Sequence, residues 1–282
     1  MRLSKIKIVT DSTVDMSDEL IKQYEIEVVP LSIQIEGETF LDRVDLTPKE
    51  FLGRMKEAKE LPKSSQPPVG VFAELYDRLG SEGYDVLSIH MTGGMSGTVQ
   101  SAETAASMSH ANVKVVDSRF ISKALSFQVI EAAQMAKEGK SMEEILTRLD
   151  HIRLNTRLFV VVDTLENLVK GGRIGKGKAM IGSLLNIKPI ASLEGGVYTP
   201  VSKARSYSQV ANYLAKQFID DTKGRTIKGV GLVHAEAQEL NQKLITALKT
   251  LAGYELTEVE YTTPIVSTHT GPGAIGFMYY FE

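Results

Sequence analysis

The segment Met91-Thr-Gly-Gly-Met-Ser-Gly-Thr-Val-Gln-Ser-Ala102 sets four hydroxyl side chains, Thr92, Ser96, Thr98 and Ser101, among three glycines. It follows an apolar run from Tyr84 that reads as a buried strand, and the small residues from Gly97 to Ser109 read as a helix. Hydroxyls at such a junction can cap the helix, present a nucleophile or hold an anion at the helix N-terminus. Gly94-Met-Ser-Gly-Thr98 is one residue away from G-x-S-x-G. Ser96 is therefore a candidate nucleophile, with His269 or His90 as base and Asp117 or Asp11 as the orienting acid. The same donors suit a carboxylate, which only accepts hydrogen bonds when ionised.

Two other glycine motifs do not survive their context. Gly172-Arg-Ile-Gly-Lys-Gly-Lys178 has P-loop spacing, but Ala179 stands where a hydroxyl should meet magnesium, and no strand leads directly into it. Gly271-Pro-Gly-Ala-Ile-Gly276 has dinucleotide-motif spacing, yet six residues remain where a helix and further strands are needed. It reads as a tight turn into a last strand, Phe277 to Phe281.

Composition narrows the chemistry. The 282 residues are 43% hydrophobic and 24% charged, with net charge −3, which favours a globular fold and offers no basic footprint for nucleic acid. No cysteine is present, so disulfides and thiolate chemistry are excluded. Five histidines are scattered without metal-binding pairing, and no metal or cofactor is expected. No apolar run reaches the ~20 residues needed to span a bilayer, and the N-terminus lacks a signal-peptide core. A cytoplasmic location is expected.

The elements that must position these residues alternate. Ile6–Thr10, Val28–Ile35, Tyr84–His90 and Val113–Val116 read as strands. Helices are expected from Ser17, Thr47, Val69, Gly97, Phe127 and Ser141, those at Thr47 and Ser141 opened by capping boxes. Leu61 to Gly70 reads as a loop. Such alternation predicts an α/β fold with a mostly parallel sheet and flanking helices, ligands binding beyond the strand ends. From Arg157 the texture becomes α+β: strands at Leu158–Val162, Lys228–His234 and Glu255–Tyr261, helices at Ser208–Phe218 and Gln238–Leu251, and a hairpin at Leu193–Val197. The expected domains are 1–157 and 158–282.

With these pieces in place, the chain resembles the DegV family along its length. The resemblance rests on ordered motifs: VTDSTVDM, LPKSSQPP, MTGGMSGTVQSA, VKVVDS, DTLENLVKGGRIGK, KARS and HTGPGAIG. It departs in Ser64, where the family often has threonine, and in Met95, where it often has leucine. The resemblance implies a two-domain, non-enzymatic carrier that binds a long-chain fatty acid such as palmitate between its domains. Some members present the acid to a fatty-acid kinase, giving an acyl phosphate for phospholipid synthesis. Carried over by position, the carboxylate falls to Ser64 and Ser96, with His269 and Arg205 near the head group. Gly97, Gly271 and Gly273 would allow close backbone approach.

Physical chemistry accommodates that reading. At ~0.8 kcal/mol per buried CH₂, a sixteen-carbon tail offers roughly 10 kcal/mol of gross transfer energy. Candidate tail contacts are Ala179, Met180, Ile181, Leu184, Leu185 and Ile187, with Phe277 or Met278. The basic run Lys170, Arg173, Lys176 and Lys178 reads as a solvated face, or as a docking patch for a kinase or for transient contact with an anionic membrane surface. The alternative remains a serine hydrolase built on Ser96 and His269.

Overall fold

A computed structural model of the chain describes residues 5–180 and 187–282. Its strands in chain order are β1 (Lys5–Asp11), β2 (Glu27–Val29), β3 (Ser32–Ile35), β4 (Glu38–Leu41), β5 (Lys63–Ser65), β6 (Tyr84–His90), β7 (Val113–Asp117), β8 (Thr156–Val161), β9 (Lys188–Ser192), β10 (Thr199–Ala204), β11 (Ile227–Ala235), β12 (Glu260–Tyr261) and β13 (Ala274–Phe281). The expected α/β class is present. An all-parallel sheet runs β2-β1-β6-β7, and a small antiparallel sheet runs β4-β3-β5. A mixed sheet of order β10-β9-β8-β13-β11-β12 uses residues after 155.

The parallel sheet is covered on both faces because adjacent strand residues point to opposite sides. Ile8 packs with Leu125 and Val129 of the helix Ser122–Lys137. Its neighbour Val9 packs with Phe72 and Tyr76 of the helix Val69–Ser81 and with Ala102 and Ala105 of the helix Thr98–Met108. The mixed sheet divides its residues the same way. Phe159, Val161, Phe277 and Tyr279 lie under the helices Tyr207–Thr222 and Gln238–Ala247. Leu158, Val160, Val233 and Met278 face the other side, into a central core shared with Leu31, Met91 and Ile121 of the N-terminal half.

Both capping boxes form, Thr47 with Glu50 and Ser141 with Glu144. The turn at Gly271 and Gly273 has positive φ at both glycines, 74° and 83°, and leads into β13 as expected. The hairpin at Leu193–Val197 joins antiparallel β9 and β10.

Several expected boundaries move. Val28–Ile35 is two strands in different sheets, broken at Pro30-Leu31, where proline supplies no ladder donor. The loop Leu61–Gly70 contains β5. The strand expected at Glu255–Tyr261 pairs only through Glu260 and Tyr261. The last strand begins at Ala274 and sits inside the sheet, between β8 and β11. A helix at Pro264–Thr270, with proline in its first turn, was not expected at all.

Candidate functional site

A cavity of about 310 Å³ opens between the mixed sheet and the N-terminal half. Its apolar wall includes Leu31, Met91, Ile121, Val160, Leu193 and Ile265. Its polar wall holds Ser64, Ser65, Gln66, Ser96, Arg173, His269 and Thr270.

The polar groups come from separate parts of the chain, Ser64 and Ser65 from β5, His269 and Thr270 from one helix, and Ser96 and Arg173 from loops. Ser64 is the middle residue of β5, opposite Ile33 in the ladder with β3. His269 lies on the helix Pro264–Thr270, and its Nε2 is 2.7 Å from Ser64 Oγ. Burial, then the nearby Arg173 charge, push the His269 imidazole down to about 4, so it is neutral at pH 7. Its Nδ1 is buried and has no hydrogen-bond partner. Ser96 lies near the end of the 91–97 loop, where its Oγ is 2.9 Å from Thr98 Oγ1 and accepts the Thr98 N–H at 3.3 Å. Ser96 thus belongs to the start of the helix Thr98–Met108 while lining the cavity.

Arg173 overturns an expectation. Read from sequence as part of a solvated docking face with Lys170 and Lys176, it is half-buried and lines the cavity. Its Nε donates to the Met95 carbonyl at 3.0 Å and its Nη1 to the Gly171 carbonyl at 2.6 Å. Desolvation lowers its pKa from the usual arginine value. Among the described lining residues it carries the one full charge at neutral pH. Lys170 and Lys176 do stay exposed, with Lys170 Nζ 2.6 Å from Glu166.

Arg205 is not brought to the site. It is exposed, and its backbone N–H donates to Gln209 Oε1 at 2.8 Å. It precedes the helix Tyr207–Thr222, which packs on the face of the mixed sheet away from the cavity. Phe277 lies on that same far face, which removes it as a tail contact; Met278 faces the central core. Ile181, Leu184 and Leu185 lie outside the described residues. Met180 packs against the central core.

The glycines act on the site indirectly. A Cβ on Gly97 would fall 2.0 Å from Gln66 Oε1, so Gly97 makes room for the Gln66 side chain, which donates to Ser101 at 2.8 Å. Gly271 closes the helix that carries His269, with φ 74°. Gly171 was missed from the sequence, yet a Cβ there would fall 2.3 Å from His269 Nδ1. The hint was its place beside Gly172 in the KGGRIGK motif. Gln66, in the segment LPKSSQPP, is a further lining residue that residue type alone does not single out.

The hydrogen bonds do not assemble the expected triad. Ser96 bonds Thr98, while His269 bonds Ser64. Asp11 and His90 are buried together at 3.1 Å, but His90 Nε2 pairs with Ser88 at 2.7 Å. Asp11 also accepts the Met91 N–H at 2.8 Å and so fixes the start of the loop. Asp117 accepts the Gly93 and Arg119 backbone N–H groups. No acid orients His269 among the described residues. The same residues hold no cluster of three metal-binding side chains, and no helix long and apolar enough to cross a membrane.

Comparison with known proteins gives one consistent answer. A family model described as "Uncharacterised protein, DegV family" matches residues 5–282. A DegV domain-containing protein of Listeria monocytogenes is 43% identical over 281 residues, covering 99% of this chain and 100% of the relative. A fatty-acid-binding DegV family protein of Thermus thermophilus superposes with TM-score 0.90 at 33% identity, covering 98% and 99% of the two chains. DegV of Bacillus subtilis, described as a fatty acid binding protein, gives 0.88 at 34% identity over 99% and 100%. A stearic-acid-binding protein of Eubacterium ventriosum gives 0.87 at 26% over 98% of each chain.

Proposed function

This chain belongs to the DegV family, and from that premise we propose that it binds a long-chain fatty acid in the cavity between its halves. The observation that carries this reading is the cavity itself: a largely apolar chamber whose polar wall holds the 2.7 Å Ser64–His269 pair, Ser96 and one buried-edge guanidinium. The tail gains from leaving water, and the carboxylate meets hydroxyl donors and the Arg173 charge in a medium of low dielectric. Ser64 and Ser96 hold the carboxylate oxygens. Neutral His269 fixes the Ser64 hydroxyl, and Arg173 balances the head-group charge. The chain acts as two domains, 1–157 and 158–282, closing on the ligand. It is a cytoplasmic carrier that presents the acid to a fatty-acid kinase, Lys170 and Lys176 offering the docking charge. The acyl phosphate so made feeds phospholipid synthesis.

Mass spectrometry of an organic extract of the purified protein tests this. A stoichiometric fatty acid is expected, and its loss from Ser64→Ala and Ser96→Ala together. Extracted lipid without a long tail, or unchanged occupancy in the double variant, would sink the reading. One observation keeps a second reading in view: a serine hydroxyl on an imidazole nitrogen at 2.7 Å is also a nucleophile's arrangement. A fluorophosphonate probe separates the two, with covalent labelling of Ser64 or Ser96 expected only of a hydrolase.

A further inference from the structure

Asp15 and Asp42 are buried carboxylates at the seam between the halves. Asp15 accepts from Ser122 Oγ and, at 2.9 Å, from Thr262 Oγ1. Asp42 Oδ1 accepts the Ile265 N–H at 3.2 Å, and the Ser12 hydroxyl faces the same carboxylate. The cations around them are engaged elsewhere. Arg43 donates to the Val14 and Met16 carbonyls at 2.7 Å each and to Asp18, and Lys123 donates to Glu260. His234, whose carbonyl accepts the Thr262 N–H at 3.0 Å, has its imidazole pKa lowered by burial.

Two of these bonds end on one short segment. Thr262 precedes and Ile265 belongs to the helix Pro264–Thr270, whose Ile265, Val266, His269 and Thr270 line the cavity. The charge state of two carboxylates from the N-terminal half therefore bears on the wall that carries His269. The donors on Ser122, Thr262 and Ile265 favour the ionised form, but burial without a bonded cation, with the like charge of Asp15 near Asp42, outweighs them.

We propose that Asp15 and Asp42 form a proton-sensitive latch, holding the wall helix Pro264–Thr270 closed while protonated and loosening it when both ionise, so that the cavity opens as pH rises. Burial pushes Asp15 up to about 6 and Asp42 up to about 7, Asp15 adding a like charge to the rise of Asp42. The latch changes state across the range in which a cell can act on it.

Amide hydrogen exchange on the ligand-free protein tests the latch without presuming a ligand. Peptides covering residues 264–270 are followed from pH 5.5 to pH 8, corrected for the intrinsic pH dependence of exchange. Protection should fall by roughly tenfold or more in the parent. It should stay level in Asp42→Asn, which keeps the Oδ1 acceptor and the side-chain shape. Level protection in the parent overturns the proposal with no variant needed, as does an equal fall in Asp42→Asn. A second arm follows release of an anthroyloxy-labelled stearate, whose dissociation rate should rise over the same pH range. Failure of that acid to bind defeats the fatty-acid reading above and leaves the exchange result to judge the latch.

Discussion

Gly171→Ala is the sharpest test of the head-group geometry. Gly171 has φ −76°, a conformation any residue adopts, so the substitution adds volume without backbone strain. The added Cβ would stand 2.3 Å from His269 Nδ1 and 2.9 Å from the Asn167 carbonyl oxygen. Ordinary contact needs about 3.4 Å or more, so the imidazole must retreat by roughly an ångström. The Asn167 carbonyl cannot yield, because it accepts the Gly171 N–H at 2.8 Å. That retreat breaks the 2.7 Å bond from His269 to Ser64. Overpacking should cost about 1–3 kcal/mol of stability. Loss of the hydrogen bond that aims Ser64 should cost about 1 kcal/mol of ligand binding, roughly fivefold in Kd. Fatty-acid titration by fluorescence and thermal unfolding read the two effects separately. A cycle with Ser64→Ala isolates the mechanism: in that background Gly171→Ala should no longer weaken binding while still lowering stability. Gly70→Ala, where a Cβ meets nothing within 4 Å, is the matched control. Parent-like binding and unfolding by Gly171→Ala would refute the geometry on which the site is built.

Other outcomes follow from the same contacts. Ser96→Ala should weaken fatty-acid binding by about 1.5–3 kcal/mol, the range for a hydrogen bond to a charged group, as read by calorimetry. Gly97→Ala should drive Gln66 from its place 2.8 Å from Ser101 and lower the unfolding temperature, since Gln66 Oε1 and Cδ lie 2.0 and 2.7 Å from the new Cβ. His269 takes its proton near pH 4 when folded and near 6.5 when unfolded, so the unfolded chain binds more protons between those values. Its contribution to stability is therefore lost as pH falls through that window, and His269→Gln should flatten the acid limb of a stability–pH curve. Asp15 and Asp42 have the opposite sign, their contribution being lost as pH rises toward 7. On the proposed kinase route, Lys170→Glu with Lys176→Glu should slow acyl-phosphate formation and leave the fatty-acid Kd unchanged; Arg173 is omitted because it lines the cavity.

What the sequence determined by itself was local. Capping boxes at Thr47 and Ser141, the turn at Gly271–Gly273, the alternation that makes β1 two-faced and the hydroxyl-rich loop around Ser96 all follow from residue type and short spacing. The candidacy of Ser64 came instead through the family resemblance, and that of His269 through the resemblance and its reading as a possible base. Only the tertiary structure decided who meets whom. Ser64 and His269 are 205 positions apart, and their bond exists because β5 pairs with β3 and a helix after Thr263 packs across it. From sequence, Arg173 belongs to a solvated or docking face and Arg205, by resemblance, lies near the head group; the structure reverses the two. One is turned into the cavity by the carbonyls of Met95 and Gly171, and the other is left exposed outside it. Charge and periodicity describe a residue's own segment. Burial and partnership depend on the segments that fold against it, and these carry no mark in the residue's local sequence.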